Sequence, residues 1–238
     1  MIALRSLAFN ILFFSWSFLV QTICLPVLLL SPRAVLRVGR FWSKGITALL
    51  ARVCALRHEI RGLANLPERP CIIAAKHQSA WDTLIFSQLL EAPAYVLKRE
   101  LVWVPLFGWY IARIGAIAID RTGGAAALRR MMEQGRRMLR QGRPIVIFPE
   151  GTRVAPGARK PYLPGVAALY RQLGVPVVPV TVNSGLFWGR RAFLKKPGLI
   201  TLEILPPIEP GLDREAFTAE LENRIETASA RLLAAART

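Results

Sequence analysis

A histidine and an aspartate with four residues between them are the first pair in the chain whose types could do chemistry. His77 and Asp82 follow a short apolar run, Cys71–Ala75, which predicts a buried strand. On a regular helix two residues five apart point about 140° away from each other, so this pair can meet only if the chain turns between them. Ser79, with an acid three residues later, is typical of a helix start. We therefore expect His77 in a loop and Asp82 in the first turn of the next helix.

Such a pair can serve as a general base. A carboxylate beside an imidazole fixes its tautomer and leaves the other ring nitrogen free to take a proton. The plainer alternative is that Asp82 only caps a helix and that His77 is a polar loop residue. The other histidine, His58, has no acidic or thiol neighbour at ligand spacing, so we assign it a structural role and predict no metal site.

Two further polar clusters follow predicted strands. Asp120 and Arg121 close the run Ile114–Ile119, and Pro149–Arg153 comes directly after Ile145–Phe148. In open α/β sheets ligands gather at the carboxyl ends of the strands, which is where both clusters would lie.

The residue types in these clusters suit a phosphate. A guanidinium such as that of Arg121 or Arg153 can bond two oxygens at once, and Gly151 would let the backbone approach a ligand closely. An internal ion pair, for example between Glu150 and Arg121, is the alternative for each cluster taken singly.

Several nucleotide and hydrolase signatures are absent from the sequence. There is no G-x-G-x-x-G or Walker lysine loop, and no G-x-S-x-G elbow that would supply a serine nucleophile. A His–Asp pair without an enzyme serine fits a reaction in which the hydroxyl of the substrate is itself the nucleophile.

Predicted strands and helices alternate through most of the chain, which indicates an α/β fold with a largely parallel sheet flanked by helices. An edge strand at 56–60 runs into a turn at Gly62. The other predicted strands are 71–75, 94–97, 114–119, 145–148, 177–182 and 199–205. The predicted helices are 80–91, 104–112, 123–141, 165–173 and 213–236.

The charge balance of the chain limits the classes of partner that it is expected to bind. Its 238 residues include 32 basic and 15 acidic side chains, a net charge of +17. That excess suits nucleic acid, an anionic membrane surface or an anionic substrate. No zinc-finger spacing, basic region with heptads or aromatic RNA-binding signature is present, so we expect no nucleic acid partner. The three cysteines form no C-x-x-C pair and are typical of a reducing compartment.

Residues 7–30 form the most apolar stretch and are long enough to span a bilayer. No small-x-small cleavage site follows it, which argues against a signal peptide. Polar residues and a proline interrupt the stretch. Two alternatives therefore remain: a helix that spans the bilayer, or a helix that lies in one leaflet.

The next segment has a basic helical face, made of Arg33, Arg37, Arg40 and Lys44. With apolar residues on the remainder, it predicts an amphipathic helix on an anionic membrane, and the alternative is a core helix with a solvated basic edge. The positive-inside rule places the chain on the cytoplasmic face of the inner cell membrane. We therefore divide it into membrane-associated helices at 1–57 and an α/β domain at 58–238.

Taken together, these residues resemble the glycerolipid acyltransferase family, which the 1-acylglycerol-3-phosphate acyltransferases typify. The family carries four ordered blocks: H-x4-D, a G-x-x-x-I-D-R-like block, F-P-E-G-T-R and V-P-(V/I)-x-P-V. Here they stand at His77–Asp82, Gly115–Arg121, Phe148–Arg153 and Val175–Val180.

The resemblance implies an α/β acyltransferase domain behind an N-terminal helical membrane motif. The stretch Tyr95–Leu101 also resembles the basic segment between the first two blocks of the family, which implies Lys98 as a further phosphate contact. Two departures are Lys76, where asparagine is common, and Val154, where serine is common. We expect Lys76 to add positive charge at the site.

The resemblance also implies a reaction. An acyl chain would pass from an acyl thioester to the sn-2 hydroxyl of 1-acyl-sn-glycerol 3-phosphate (lysophosphatidic acid), giving phosphatidic acid. His77 would be the base and Asp82 its orienting partner. The residues implied for substrate binding are Lys98, Arg121, Glu150, Gly151, Thr152 and Arg153. Acyl-coenzyme A or acyl carrier protein would supply the acyl chain as co-substrate, and no cofactor is expected.

Two alternatives remain open from the sequence. The acceptor could be another lysophospholipid, a lyso-aminolipid or glycerol 3-phosphate. The chain could also be a non-catalytic membrane protein that binds anionic lipid through its basic face.

Overall fold

A seven-stranded sheet organises the structure, a computed structural model that describes residues 1–120 and 123–236. Its strand order is β1-β7-β6-β2-β5-β3-β4. Every neighbouring pair is parallel except β6 and β7. The strands are β1 (Leu56–Arg61), β2 (Ile72–Ala75), β3 (Ala94–Lys98), β4 (Ile117–Ile119), β5 (Ile145–Ile147), β6 (Val177–Val182) and β7 (Gly198–Ile204). The predicted α/β fold with a mostly parallel sheet is confirmed.

Helices cover both faces of the sheet. They are α1 (Ile2–Ile23), α2 (Pro32–Cys54), α3 (Trp81–Leu89), α4 (Phe107–Arg113), α5 (Gly124–Arg140), α6 (Pro164–Leu173) and α7 (Arg214–Ala235). In β2, Ile73 and Ala75 face the layer that contains α1, α2 and α3. Ile72 and Ala74 alternate with them and face α5, α6 and α7. Burial on both faces explains why this strand is a continuous apolar run.

The two N-terminal helices pack on the α/β core. Ser31 caps α2 by accepting a hydrogen bond from the Ala34 N–H, and Pro32 occupies its first turn. Phe9 of α1 and Ile46 and Leu50 of α2 are buried in one apolar cluster with the α3 side of the sheet. The chain passes directly from α2 into β1, so the predicted boundary at residue 57 falls inside that strand.

Two predicted elements differ from the structure near the middle of the chain. The predicted strand 114–119 is a strand only from Ile117, because Gly115 turns the chain with φ +71 just after α4. The predicted helix 104–112 begins later, at Phe107, since a short 3-10 turn at Arg99–Trp103 and a left-handed Leu106 (φ +62) come before it.

The basic face of α2 is only partly available to a membrane. Arg33, Arg37 and Lys44 are exposed, as predicted. Arg40 instead turns inward and donates hydrogen bonds to the carbonyl oxygens of Ser87 (3.1 Å) and Leu90 (2.6 Å). These carbonyls belong to the end of α3, where the helix leaves its last carbonyls without partners and a cation is favoured.

The contact between α1 and α2 generates a test at two glycines of α2. A Cβ at Gly45 would lie 2.4 Å from the Trp16 indole of α1, whose Nε1 donates to the Trp42 carbonyl. A Cβ at Gly39 would meet nothing within 4 Å. We expect Gly45→Ala to lower the free energy of unfolding by about 1–3 kcal/mol through overpacking.

Gly39→Ala is the matched control, and alanine should raise the free energy of unfolding by up to about 1 kcal/mol through its better helix propensity. Denaturant unfolding of both variants in non-ionic detergent measures the two effects. Destabilisation of equal size by both substitutions would contradict the assigned packing of α1 on α2.

Candidate active site

The carboxyl ends of four neighbouring parallel strands bring the polar clusters together. His77 follows β2, Gly151–Arg153 follow β5, Lys98 ends β3, and Ser184 follows β6. Since β6, β2, β5 and β3 run in the same direction, these residues share one edge of the sheet.

A single buried carboxylate fixes the turn between His77 and the helix α3. Asp82 Oδ2 accepts hydrogen bonds from the backbone N–H groups of Gln78 (2.7 Å) and Ser79 (2.8 Å) and lies 3.0 Å from His77 Nδ1. Its other oxygen accepts a hydrogen bond from the Ser184 hydroxyl. A carboxylate that is 1 % exposed needs such partners, so Asp82 does more than cap a helix.

The predicted cap at Ser79 is partly wrong in its geometry. Helix α3 begins at Trp81 with Ala80 as its N-cap, and the Ser79 hydroxyl accepts from the Trp81 N–H (3.2 Å). Asp82 does reach back to the Ser79 N–H, as a helix-start acid does. The predicted placement of His77 in the loop and Asp82 in the first helical turn matches the structure.

His77 is held with one nitrogen engaged and its ring positioned by packing. An ionised carboxylate can only accept, so the bond to Asp82 assigns the proton to Nδ1 and leaves the Nε2 lone pair free. The imidazole stacks on Phe148, with ring centroids 4.0 Å apart. The side chain is 11 % exposed and lines a large cavity. The arrangement can accept a proton from a group in that cavity.

Glu150 lies behind the loop that carries His77, which corrects its predicted place among the substrate contacts. Its side chain is fully buried and is not part of the cavity wall. Its Oε2 accepts a hydrogen bond from the His77 N–H (3.3 Å), and its Oε1 lies 3.4 Å from Lys76 Nζ. The predicted alternative of a pair with Arg121 involves a residue outside those that the structure describes.

Lys76 also points away from the cavity, so the expectation that it adds charge at the site is wrong. Its ammonium donates to Glu226 Oε1 (2.6 Å), and the Tyr162 hydroxyl donates to the same oxygen (3.2 Å). Successive side chains of β2 point to opposite faces of the sheet. Lys76 continues the series of Ile72 and Ala74 and so enters the layer of α5, α6 and α7. The result is a buried network of Lys76, Glu150, Glu226 and Tyr162 under the His77 loop. No local pattern in the sequence pointed to Glu226, which lies among other polar residues of α7.

A cavity of about 980 Å³ opens in front of His77. Near the strand ends its wall includes the predicted residues Lys98, Gly151, Thr152 and Arg153. The remainder is largely apolar and reaches between the N-terminal helices, α3 and α4; its lining there includes Val20, Val35, Val38, Trp42, Leu84, Phe107 and Ile111. The volume is that of a site for a sizeable organic ligand.

Four cations at the polar end of this cavity have no carboxylate partner among the described residues. Within the described part of the chain, Lys98 and Arg153 form no ion pair. Two further cavity residues, which no sequence motif indicated, form none either: Arg190 and Arg191. Asp120 pairs with Arg99 (2.9 Å). Arg121, also predicted here, lies outside the described residues. Burial lowers the pKa of Arg153, and the nearby Asp82 opposes that shift.

The turn after β5 brings backbone close to this space. Gly151 has φ +65, and its N–H donates to the Phe148 carbonyl. No group of three or more histidine, cysteine, aspartate or glutamate side chains has a metal-binding arrangement among the residues that the structure describes.

The burial of Glu150 generates a prediction for stability. Removal from water raises its pKa to about 7, although Lys76 opposes the shift. The carboxyl is then protonated in the folded chain while the unfolded chain ionises, so the stability it contributes is present below about pH 4.5 and is lost as pH rises to about 7. The free energy of unfolding of Glu150→Gln, relative to that of wild type, should therefore be about 1–3 kcal/mol higher at pH 8 than at pH 5.

Denaturant unfolding at the two pH values measures this difference. Glu133→Gln removes an exposed carboxylate of α5 and serves as the control, for which no such gain is expected. A difference between wild type and Glu150→Gln that is constant with pH would contradict the raised pKa.

Known acyltransferases are similar to this chain in sequence. The family model described as Acyltransferase matches residues 57–183. The chain is 38% identical over 226 residues to the 1-acyl-sn-glycerol-3-phosphate acyltransferase of Pseudomonas aeruginosa, covering 94% of this chain and 88% of that protein. A Limnanthes alba protein of the same name is 31% identical over 74% of this chain and 63% of its own length.

A solved structure shares the fold. The crystal structure of the 1-acyl-sn-glycerophosphate acyltransferase of Thermotoga maritima matches with a TM-score of 0.79 at 23% identity, over 98% of both chains. The fold resemblance thus includes the N-terminal helices as well as the α/β part. The family model and the Pseudomonas relative agree with the order of the strand-end clusters. They show that this chain belongs to the acyltransferase family.

Proposed function

We propose that the protein transfers an acyl chain from a thioester to the sn-2 hydroxyl of 1-acyl-sn-glycerol 3-phosphate. The observation that carries this proposal is the His77–Asp82 pair on the wall of a cavity that is cationic at one end and apolar at the other. Lysophosphatidic acid has this same division between a phosphate and an acyl chain. The names of the Pseudomonas and Limnanthes relatives supply the acceptor.

In this mechanism the acceptor hydroxyl attacks the thioester carbonyl carbon while His77 Nε2 takes its proton. Asp82 keeps the imidazole in the required tautomer and stabilises its cationic form. The tetrahedral intermediate then breaks its C–S bond, and the leaving thiolate takes the proton back from His77. The ester, a free thiol and the original histidine result, so no covalent acyl-enzyme is required.

The remaining groups act through charge and position. The acceptor phosphate is joined to the reacting hydroxyl through only two carbons. The cationic side chain that binds this phosphate must therefore lie close to His77. Arg153 meets this requirement, because it is partly buried and close enough to Asp82 for the two charges to interact. Lys98 and Arg121 would complete the phosphate site. General-base catalysis supplies about 10²–10⁴-fold, and positioning and charge stabilisation supply the rest.

The decisive measurement is thiol release from palmitoyl-coenzyme A in non-ionic detergent, with and without 1-oleoyl-glycerol 3-phosphate. We expect release that depends on the acceptor in wild type and falls at least about 10²-fold in His77→Ala, because the base is lost. His58→Ala is the matched control, since it removes the exposed histidine of the edge strand β1 and should keep full activity.

Other outcomes would redirect or overturn the proposal. Release only with a different lysolipid or with glycerol 3-phosphate would change the acceptor. Release only from acyl carrier protein would change the donor. A folded His77→Ala that retains activity would contradict the assigned base. Lipid binding without thiol release from either donor would favour a non-catalytic protein.

We also infer that α1 lies in one leaflet of the membrane, with the catalytic domain on the cytoplasmic side. Among the described residues α1 alone is long and apolar enough to span a bilayer. The α/β part and α2 satisfy its polar side chains, however. Lys195 bonds Ser6 and Asn10, and Trp42 Nε1 donates to the Ser17 hydroxyl (3.0 Å). A helix held along its length against the domain suits an interfacial position better than a separate crossing.

The opposite face of α1 provides the test. Phe14 and Phe18 are 68% and 66% exposed there. Replacing both by serine should lower the fraction bound to anionic lipid vesicles by about tenfold or more, since each phenylalanine is worth about 1.5–3 kcal/mol on burial. The control is Leu63→Ser with Leu212→Ser, two exposed leucines away from the helix. Equal losses in both double variants, measured by vesicle flotation, would contradict this orientation.

A further inference from the structure

Two adjacent arginines beyond the matched family region lie on the cavity wall and have no assigned role. Arg190 and Arg191 are exposed at the cavity rim, and neither forms an ion pair or hydrogen bond with a described residue. Arg190 is close enough to Arg153 for their charges to repel, which contributes to the lowered pKa of Arg153. Cations without a carboxylate partner at one cavity favour anionic ligands there.

The turn that carries these arginines is strained and firmly anchored. Arg191 has φ +56, a left-handed backbone conformation that residues other than glycine and asparagine seldom adopt. The Ala192 N–H donates to the Gly189 carbonyl (3.2 Å) and closes the turn. A glycine would fit this backbone without strain. An arginine here is consistent with a role for its side chain.

Contacts on both sides hold the turn in place. Before it, the Gly185 N–H donates to Gln78 Oε1 (3.0 Å), beside His77. After it, the buried ammonium of Lys195 donates to Asn10 Oδ1 of α1 (2.6 Å). Trp188 packs edge-on against Phe9, with ring centroids 5.6 Å apart. The arginines are therefore positioned relative to both the catalytic loop and the N-terminal helix.

These arginines and the other cations of the cavity come from strand ends on opposite sides of β2, and Arg190 still lies within range of the Arg153 charge. His77 follows the strand β2, and Arg190 and Arg191 come after its neighbour β6. Arg153 follows β5 and Lys98 ends β3, on the other side of β2. The reaction needs two phosphorylated substrates at one histidine, and the structure has a cationic group on each side of it.

From this division we propose that Arg190 and Arg191 bind the phosphate of the pantetheine arm of the thioester donor. Coenzyme A and acyl carrier protein both present this phosphate, at the far end of the arm from the thioester. An exposed pair at the rim suits an anion far from the reacting atoms, whereas the acceptor phosphate lies next to its hydroxyl and suits the inner Arg153. This assignment rests on the proposed function and names the donor contacts of the same site.

The test compares three palmitoyl thioesters in neutral detergent micelles: those of coenzyme A, of 4′-phosphopantetheine and of pantetheine, which lacks the phosphate. In the double variant Arg190→Gln, Arg191→Gln we expect kcat/KM to fall about 10–100-fold for the first two donors, since two charge-assisted hydrogen bonds are lost. It should change less than about threefold for the pantetheine thioester, and the KM for lysophosphatidic acid should stay the same.

The matched control is Arg136→Gln with Arg140→Gln, which removes two exposed arginines of α5 outside the cavity wall and should leave all three donors unaffected. Four results would overturn the assignment: an equal loss for all three donors, a loss with coenzyme A only, a raised KM for the acceptor only, or unchanged catalysis with weaker binding to anionic vesicles. If wild type transfers no acyl chain from any thioester, the proposed function itself fails, which this series separates from failure of the donor site.

Discussion

The buried carboxylate of Asp82 is the constraint on which the rest of the site depends. Away from water it must find partners, and it finds them in two backbone N–H groups, the His77 imidazole and the Ser184 hydroxyl. These bonds fold the loop after β2 and tie it to the segment after β6. The tautomer of His77 and the position of its free nitrogen are consequences of satisfying one negative charge.

A second buried network supports the same loop from beneath. Lys76 joins Glu150, from the turn after β5, to Glu226, from the C-terminal helix α7. One ammonium cannot neutralise two carboxylates. Burial raises the pKa of Glu150, which favours its uncharged form and reduces the excess negative charge. Because Glu150 also accepts a hydrogen bond from the His77 N–H, three distant parts of the chain meet behind the histidine. Neighbouring side chains of the loop thus face opposite environments: His77 faces the cavity, and Lys76 faces the network.

The distribution of polarity in the cavity links the site to the N-terminal helices. Its cations cluster where the parallel strands end, and its apolar wall continues between α2, α3 and α4. Of the N-terminal helices, α1 carries exposed apolar surface, and it is held to the α/β domain through Lys195 and to α2 through Trp42. In the proposed reaction the acyl chain of the lipid acceptor lies in these apolar surroundings while its phosphate reaches the arginines.

By itself the sequence determined the fold class, the order of the elements and the pairing of His77 with Asp82. These features depend on local patterns: apolar strands with period two, helix-start acids and polar clusters after strands. Only the tertiary structure decided which way side chains turn and which distant residues meet. Glu150 and Lys76 entered a buried network with Glu226, Arg40 turned to the end of α3, and Arg190 and Arg191 joined the cavity. Ion pairs and cavity walls form between residues far apart in the chain, and no local periodicity records them.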